Sequence, residues 1–219
     1  MADNRRLAKI ASMIKKGMIT ADIGTDHAFL PIMLVRDGIC EKVYACDVAE
    51  GPLQAARTNI AARGMQDCIT AILTDGLQDV PQDTQCAVIA GMGFQTAKGI
   101  LERAQSRLDD LKQIIVEVNR DTVSMRRWIS DHGYTIVNET YVNDRGHDYV
   151  TIDFNTEKHE PYRIQDLVLG PVLKTEGKQE YAEFLKRRAE KIRHILSVSE
   201  NGNPSLKEEL SILDSFSAQ

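Results

Sequence analysis

The sequence predicts an α/β fold, a mostly parallel seven-stranded sheet closed by an antiparallel hairpin, followed by a helical C-terminal domain. Two observations predict it. Short apolar strands alternate with helical segments over the first 155 residues or so, which is typical of an open parallel sheet covered on both faces. The alternation then stops, and two strands follow each other around a turn at 143–146. A plain dinucleotide-binding half would keep alternating.

Each element of the first domain has a local signal. Leu7, Ile10 and Ile14 lie on one helical face, Pro52 suits the first turn of a helix, and Asp121 is placed to cap one. The predicted helices are 1–17, 27–36, 51–63, 94–107 and 122–131. Apolar runs bounded by turn residues indicate strands. The predicted strands are 18–23, 42–47, 69–73, 86–90, 113–118, 134–142 and 147–154.

The composition changes after Phe154. A polar segment at 155–161 reads as a linker, so the predicted domains are 1–155 and 161–219. Beyond it, apolar residues at positions 181, 185, 189, 192 and 196 share one face of a helix over 178–198. The run 201–204 breaks that helix before a last short one. This order predicts a coiled-coil-like helical hairpin.

Composition excludes several classes of protein. The 219 residues carry 27 Lys and Arg against 32 Asp and Glu, a formal net charge of −5, which argues against a generic nucleic-acid coater. No apolar run approaches the roughly 20 residues of a membrane span, and residues 1–17 lack the apolar core of a secretory signal. The four cysteines form no CxxC pair, so we expect reduced thiols, a cytoplasmic protein and no metal site.

The first strand ends in an acidic glycine loop. Ligands of a doubly wound sheet bind beyond the carboxyl ends of its strands, and Gly24 lets the chain turn sharply there. Asp26 and Phe29 stand where a phosphate-binding fingerprint has its second and third glycines. Carboxylates at Asp22 and Asp26 would repel a pyrophosphate but suit the sulfonium and ammonium of S-adenosylmethionine. The loop therefore favours that cofactor over NAD, although a purely structural turn stays possible.

The next strand ends repeat this acidic pattern. Asp47 is placed to bind both ribose hydroxyls or, alternatively, to cap a helix. Asp75 and Gly76 suit an adenine edge, although Asp-Gly is also a common turn. The predicted cofactor-binding residues are Asp22, Gly24, Thr25, Asp47, Val48, Asp75, Gly76 and Gly91.

Four stretches carry a family resemblance. They are ADIGTDHAFLP (21–31), EGP (50–52), IAGMG (89–93) and GPVL (170–173). Together they resemble the bacterial tRNA adenine-N1-methyltransferases of the TrmK family, which modify adenine 22 in the D-arm. The resemblance spans roughly 5 to 200. It implies a class I, Rossmann-like methyltransferase domain with a C-terminal coiled-coil element, S-adenosylmethionine as donor and tRNA as partner.

Two positions depart from the family pattern. Phe94 stands where the family usually has a glycine, and we expect it to stack on the incoming base or to narrow the pocket. Glu117-Val118-Asn119 replaces the usual Gln-Pro-Asn and keeps only the Asn. We predict catalytic roles for Asp26, as an electrostatic or proton-accepting group, and for Asn119 and the backbone at Met92, which would orient the base.

Basic residues supply the candidate RNA contacts. The run 186–194 has five positive charges and one negative charge, which indicates either an arm that grips tRNA or a solvated helix face. The predicted substrate contacts are His27, Phe94, Arg126, Arg145, Arg187, Arg188 and Lys191. His27 is also a weaker candidate base, and Arg145 is equally a solvated turn charge. We expect a monomer or weak dimer. The alternatives are an NAD-dependent oxidoreductase and a non-catalytic protein on a methyltransferase scaffold.

Overall fold

A seven-stranded sheet organises the first part of the computed structural model, which describes residues 4–176, 178–198 and 203–217. Its strands are β1 Thr20–Ile23, β2 Val43–Asp47, β3 Ile69–Leu73, β4 Cys86–Met92, β5 Gln113–Val118, β6 Tyr134–Asp144 and β7 His147–Lys158. Their order is β3-β2-β1-β4-β5-β7-β6. Among these seven strands β7 alone runs in the direction opposite to the others, so its pairs with β5 and β6 are antiparallel and the remaining pairs are parallel. The predicted fold class, including the closing hairpin, is confirmed.

Helices follow the strands as the sequence predicted, with shifted ends. The helices of this part are α1 Arg5–Met13, α2 Phe29–Arg36, α3 Glu50–Ala61, α4 Phe94–Arg103, α5 Gln105–Leu108 and α6 Thr122–Asp131. The helix expected over 94–107 is divided at Ala104. Asn4 caps α1 by accepting a hydrogen bond from the Leu7 amide at 3.0 Å.

The Asp121 cap prediction is wrong. Asp121 precedes α6 but has a left-handed backbone (φ 64°) and makes no capping hydrogen bond through its side chain. A capping side chain needs an extended backbone at that position to reach the first amides of the helix. The range of α6 nevertheless matches the prediction, because its apolar face is buried through Met125, Trp128 and Ile129.

The two sheet faces are covered by different helices. On one face Ile10 of α1 and Leu34 of α2 pack with Val88 and Ile115 in a buried cluster. On the other, Trp128 of α6 meets Phe154 edge to face at 6.3 Å. Burial on both faces explains the apolar runs Cys86–Ala90 in β4 and Ile114–Val116 in β5.

The closing hairpin is tighter than predicted. Its loop is only Arg145-Gly146, both with positive φ (52° and 82°), as a two-residue turn matched to the twist of the strands requires. β7 then continues to Lys158, so the beginning of the predicted linker is strand. The chain divides into two units, Met1–His159 and Glu160–Gln219.

The second unit is helical over its described residues. Its helices are α7 Ile164–Leu169, α8 Leu173–Glu176, α9 Gln179–Val198 and α10 Pro204–Ser217. Tyr181, Leu185, Ala189 and Ile192 of α9 are buried, as their spacing predicted. Part of the predicted break at 201–204 lies outside the described residues. Across the described ranges, no helix has both the length and the apolar character that a membrane crossing needs.

Candidate functional site

The candidate site lies at the carboxyl ends of β1 and β4. These neighbouring strands lead the chain in opposite directions, β1 to β2 on one side and β4 to β5 on the other. Such a switch point opens a crevice in a doubly wound sheet, and ligands bind there. The residues that follow β1, β2, β3, β4 and β5 therefore decide what this crevice accepts.

The loop after β1 is anchored to β2. Gly24 turns with φ 77°, and the amides of Gly24 and Thr25 both donate to the carbonyl of Cys46 at 2.8 Å. His27 and Ala28 then adopt left-handed backbones (φ 55° and 56°). Two such non-glycine residues in succession are strained, and strain of this kind persists where the surroundings hold the chain. The loop is thus pre-formed beside the crevice.

Asp22 brings a buried carboxyl group to this loop. Its residue is only 7% exposed, and burial raises its pKa to about 6, while the positive charge of Arg6 acts in the opposite direction. A cationic ligand would favour the charged carboxylate. Asp22 therefore fits the predicted contact with a positively charged cofactor group.

Asp47, the predicted ribose-binding residue, lies at the end of β2 in the turn before α3. One carboxylate oxygen of Asp47, Oδ1, accepts a hydrogen bond from the Ala49 amide at 2.8 Å and shapes the turn into α3. The other oxygen has no hydrogen-bond partner among the described residues and stays available to hydroxyl groups. Val48 beside it is 68% exposed and offers an apolar surface.

Asp75, which we predicted to bind the edge of the adenine, forms an ion pair with an arginine. Arg103 of α4 donates to Asp75 Oδ1 at 2.9 Å, and both side chains are largely exposed. Gly76 turns with φ 93°, and a Cβ there would stand 3.2 Å from the Ile100 side chain. The glycine thus lets α4 pack against this loop.

A bulge at the end of β4 brings the catalytic candidates together. The register of β4 on β5 shifts between Ala90 and Met92, and Gly91 has φ 77°. Asn119 at the end of β5 spans this bulge. Its Nδ2 donates to the Gly91 carbonyl at 2.9 Å, and its amide donates to the Met92 carbonyl at 2.9 Å. The Asn119 side chain is therefore fixed with Oδ1 left as an acceptor.

Met92 closes over the glycine of the first loop. A Cβ on Gly24 would collide with the Met92 methyl group. The positive φ of Gly24 favours glycine there, and the Met92 methyl group packs against this glycine, so the bulge is in contact with the loop after β1.

A cavity of about 530 Å³ opens beside Asn119. It is lined by Gly93, Phe94, Gln95, Thr96, Asn119, Arg120 and Asp121. Its volume falls within the range of small-molecule sites. Of its lining side chains the sequence predicted Phe94 and Asn119, whereas Arg120 and Thr96 carried no motif.

Sequence reasoning missed an ion pair at the same edge of the sheet. Arg6 of α1 donates from Nε to Glu117 Oε1 at 2.6 Å, and the Glu117 side chain is fully buried. Burial raises the pKa of Glu117, while Arg6 and a 3.1 Å hydrogen bond from Thr151 act against it. A charged residue inside the apolar strand QIIVEV was the one available signal.

Two of the predicted RNA contacts are held in ion pairs within the protein. Arg126 is 2% exposed, and its Nε donates to the buried Glu139 at 2.6 Å, so it does not present a surface charge. Arg188 binds both carboxylate oxygens of Glu209 in α10, at 2.7 and 3.0 Å. This two-pronged pair joins α9 to α10, so Arg188 is a structural residue of the helical unit.

The other candidates are accessible. Arg145, Arg187 and Lys191 are exposed. His27 stacks on Phe29 with ring centres 5.4 Å apart, and its Nε2 lies 3.4 Å from Asp26 Oδ1. The Asp26 side chain is 82% exposed.

Comparison with known proteins identifies the family of the first domain. A family model described as a methyltransferase domain matches residues 4–152. The chain belongs to this methyltransferase domain family. The match includes α1, the acidic loop after β1 and the bulge at the end of β4, which are the features that build the crevice.

Relatives of this methyltransferase narrow the comparison. A curated relative from Bacillus subtilis, a tRNA (adenine(22)-N(1))-methyltransferase, is 28% identical over 203 residues, covering 90% of this chain and 84% of the relative. A solved Streptococcus pneumoniae structure assigned to tRNA (m1A22) methylation, in complex with S-adenosyl-L-methionine, is 29% identical with a TM-score of 0.89, covering 98% and 99% of the two chains. The TrmK protein of M. capricolum, solved with S-adenosyl-homocysteine, is 25% identical with a TM-score of 0.82, covering 97% and 96%. These matches confirm the resemblance to the TrmK family.

Proposed function

We propose that this methyltransferase transfers the methyl group of S-adenosylmethionine to N1 of an adenine in tRNA, at position 22 of the D-arm. The observation that carries the proposal is Asn119, fixed at the bulge of β4 beside a cavity of about 530 Å³. The similarity to the Bacillus subtilis enzyme over nine tenths of the chain supports the nucleotide and the position.

The crevice fits the cofactor by its charges and its glycines. The acid groups Asp22 and Asp47 suit a ligand that carries a sulfonium and an ammonium and lacks phosphate. Gly24 and Gly91 supply the positive φ angles with which the chain turns at the ends of β1 and β4. Asp47 would hold the ribose, Val48 and Asp75 the adenine, and Asp22 the ammonium group. When bound, the cofactor supplies an electrophilic methyl group on sulfur.

Asn119 would orient the target base. Adenine N1 has an in-plane lone pair and needs no base to become a nucleophile, so catalysis consists mainly of proximity and alignment. The free Oδ1 of Asn119 accepts a hydrogen bond from the N6 amino group, while its Nδ2 stays bound to Gly91. This contact turns N1 toward the crevice. It also strengthens as positive charge develops on the ring.

Asp26 and Phe94 complete the proposed base site. Asp26 is exposed and available to accept the proton that the methylated base releases. Phe94, at the wall of the cavity, would stack on the extruded base, since N1 is hidden in paired RNA and must leave the stack to react.

Exposed basic residues would hold the RNA backbone. Arg187 and Lys191 lie one turn apart on α9, and Arg145 lies in the closing hairpin. These positive charges belong to other stretches of the sequence than the acidic residues of the crevice, so a net charge of −5 is compatible with RNA binding. A cytoplasmic location and a monomeric or weakly dimeric state complete the proposal.

The experiment is labelled methyl transfer into unmodified tRNA transcripts, followed by nucleoside analysis. We expect 1-methyladenosine in a transcript with adenine at position 22 and none when that adenine is replaced by guanine. Incorporation into both would exclude the proposed position. No incorporation, with S-adenosylmethionine bound in calorimetry, would favour a non-catalytic scaffold, and binding of NAD instead would favour an oxidoreductase.

Replacing Asp26 by Ala tests its separate role. Near-normal turnover of this variant would exclude Asp26 as the proton acceptor and leave the reaction itself in place.

A further inference from the structure

Arg6 lies on α1, the helix that precedes the first strand of the sheet, and its side chain extends to the candidate site. It is the second residue of α1, and no predicted motif contains it. Its guanidinium pairs with buried Glu117 on β5 and lies 5.1 Å from the ring centre of Tyr149 on β7. A Cβ on Gly91 would stand 2.7 Å from Arg6 Nη2. The guanidinium therefore lies against the backbone of the β4 bulge.

The guanidinium keeps unused hydrogen-bond donors. In the described part of the chain Arg6 donates from Nε, to Glu117, and neither Nη atom has an acceptor. The side chain is 23% exposed, so these donors are open to a ligand. A planar pair of N–H groups is the geometry that binds a carboxylate through both oxygens.

The neighbours of Arg6 identify which anion fits. Its charge acts on Asp22 at the end of β1 and lies over Gly91 at the end of β4, so it is at the switch point where the cofactor binds. A methionyl group carries one ammonium and one carboxylate. Asp22 complements the first, and Arg6 complements the second.

We propose that Arg6 binds the carboxylate of the methionyl group of S-adenosylmethionine, and that Glu117 is the positioning residue that holds the guanidinium in place. This inference rests on the proposed function for the identity of the cofactor. The bonds from Thr151 and Arg6 occupy both oxygens of Glu117, which fixes the direction in which Arg6 presents its remaining donors.

An RNA phosphate is the other anion that an arginine at this edge would attract. Arg6 is not among the residues that line the cavity beside Asn119, where the target base would enter. The Arg6 side chain contacts β4, β5 and β7, and its charge acts on the carboxyl group of Asp22. The observations therefore favour the cofactor, and binding to RNA becomes an outcome of the test.

The test compares two ligands in calorimetry without RNA. S-adenosylmethionine carries the carboxylate, whereas its decarboxylated form keeps the sulfonium and the ammonium but lacks it. We expect the native protein to bind the first roughly tenfold to a hundredfold more tightly, the range for hydrogen bonds between charged groups. Arg6→Gln should reduce this preference to less than about threefold, and Arg6→Lys should keep part of it.

Arg5→Gln is the matched control, since Arg5 is an exposed neighbour whose Nη1 contacts the Asn143 carbonyl at 3.4 Å. It should leave the preference unchanged. If the loss of Arg6 unfolds the protein by leaving Glu117 unpaired, the double variant Arg6→Gln with Glu117→Gln removes that buried charge and is measured instead.

Three outcomes overturn the inference. The native protein binds both ligands equally, or Arg6→Gln retains the full preference, or Arg6→Gln raises the KM for tRNA with unchanged affinity for S-adenosylmethionine. The last result would assign Arg6 to an RNA phosphate. Failure of the native protein to bind S-adenosylmethionine at all would refute the proposed function as well, which separates the two failures.

Discussion

Replacing Asp22 by Asn should stabilise the ligand-free protein and weaken cofactor binding. Burial raises the pKa of Asp22 from 3.8 to about 6. Between these values the folded state keeps a proton that the unfolded state releases, so stability falls as the pH rises through this window and is constant above it. A shift of about two units at about 1.4 kcal/mol per unit gives a penalty of about 3 kcal/mol at pH 8. Asn does not titrate and escapes this penalty.

Urea unfolding of both proteins between pH 5 and pH 8 measures the effect. The difference between their free energies of unfolding should grow by about 1.4 kcal/mol over this range, because part of the penalty is already present at pH 5. Asp153, whose pKa burial also raises to about 6, is present in both proteins and cancels. A difference that stays constant from pH 5 to pH 8 would refute the reasoning. Calorimetry with S-adenosylmethionine should show weaker binding by Asp22→Asn at pH 8.

Three further predictions concern separate parts of the molecule. Arg126→Met should destabilise the fold by about 3–5 kcal/mol in urea unfolding, because it breaks a buried ion pair and removes the positive charge next to the buried Glu139 carboxylate. Arg187→Glu with Lys191→Glu should weaken tRNA binding. The binding constant should also become less sensitive to salt, because the negative slope of its logarithm against log salt becomes shallower by about 2, one for each lost phosphate contact. Asn119→Ala should reduce kcat roughly tenfold to hundredfold in single-turnover methyl transfer, the worth of one hydrogen bond to a developing charge.

Each of these three predictions has a control measurement, and one result of that control would contradict the prediction. Adding Glu139→Met to Arg126→Met should restore part of the stability, and no recovery would mean that packing rather than charge is responsible. Lys112→Glu reverses one charge, half of the change in the α9 variant, at an exposed residue before the amino end of β5. An equal loss of tRNA affinity for each reversed charge there would exclude a specific role for α9. Asn119→Ala should bind S-adenosylmethionine normally, and loss of that binding would assign Asn119 to the cofactor.

The sheet was predictable because its signals are local. β4 and β5 are largely buried, so each contains an apolar run, Cys86–Ala90 and Ile114–Val116, and the turn at Arg145-Gly146 separates two strands in the sequence itself. The positions of Asp22, Asp47 and Asn119 followed from the same rule, since each residue ends or follows a strand.

The errors came from side-chain ion pairs and from local backbone geometry, neither of which the sequence pattern shows. The ion pair of Arg6 with Glu117 links positions 111 residues apart, so no periodicity reveals it. Arg126 was expected at the surface because arginine is usually exposed, yet Glu139 on the neighbouring strand compensates its charge. Asp121 has a residue type that favours capping, but the left-handed backbone before α6 prevents it.

The placement of α1 bears on where a minimal catalytic fragment can begin. A truncation at β1, the first strand, would retain the whole sheet and every predicted cofactor-binding residue. It would also remove Arg6 and leave Glu117, fully buried between β4 and β7, without its counter-charge. Such a fragment would have to protonate this carboxyl group or admit water into the sheet. A minimal catalytic fragment should therefore begin before α1, because Arg6 on this helix neutralises the buried charge of Glu117.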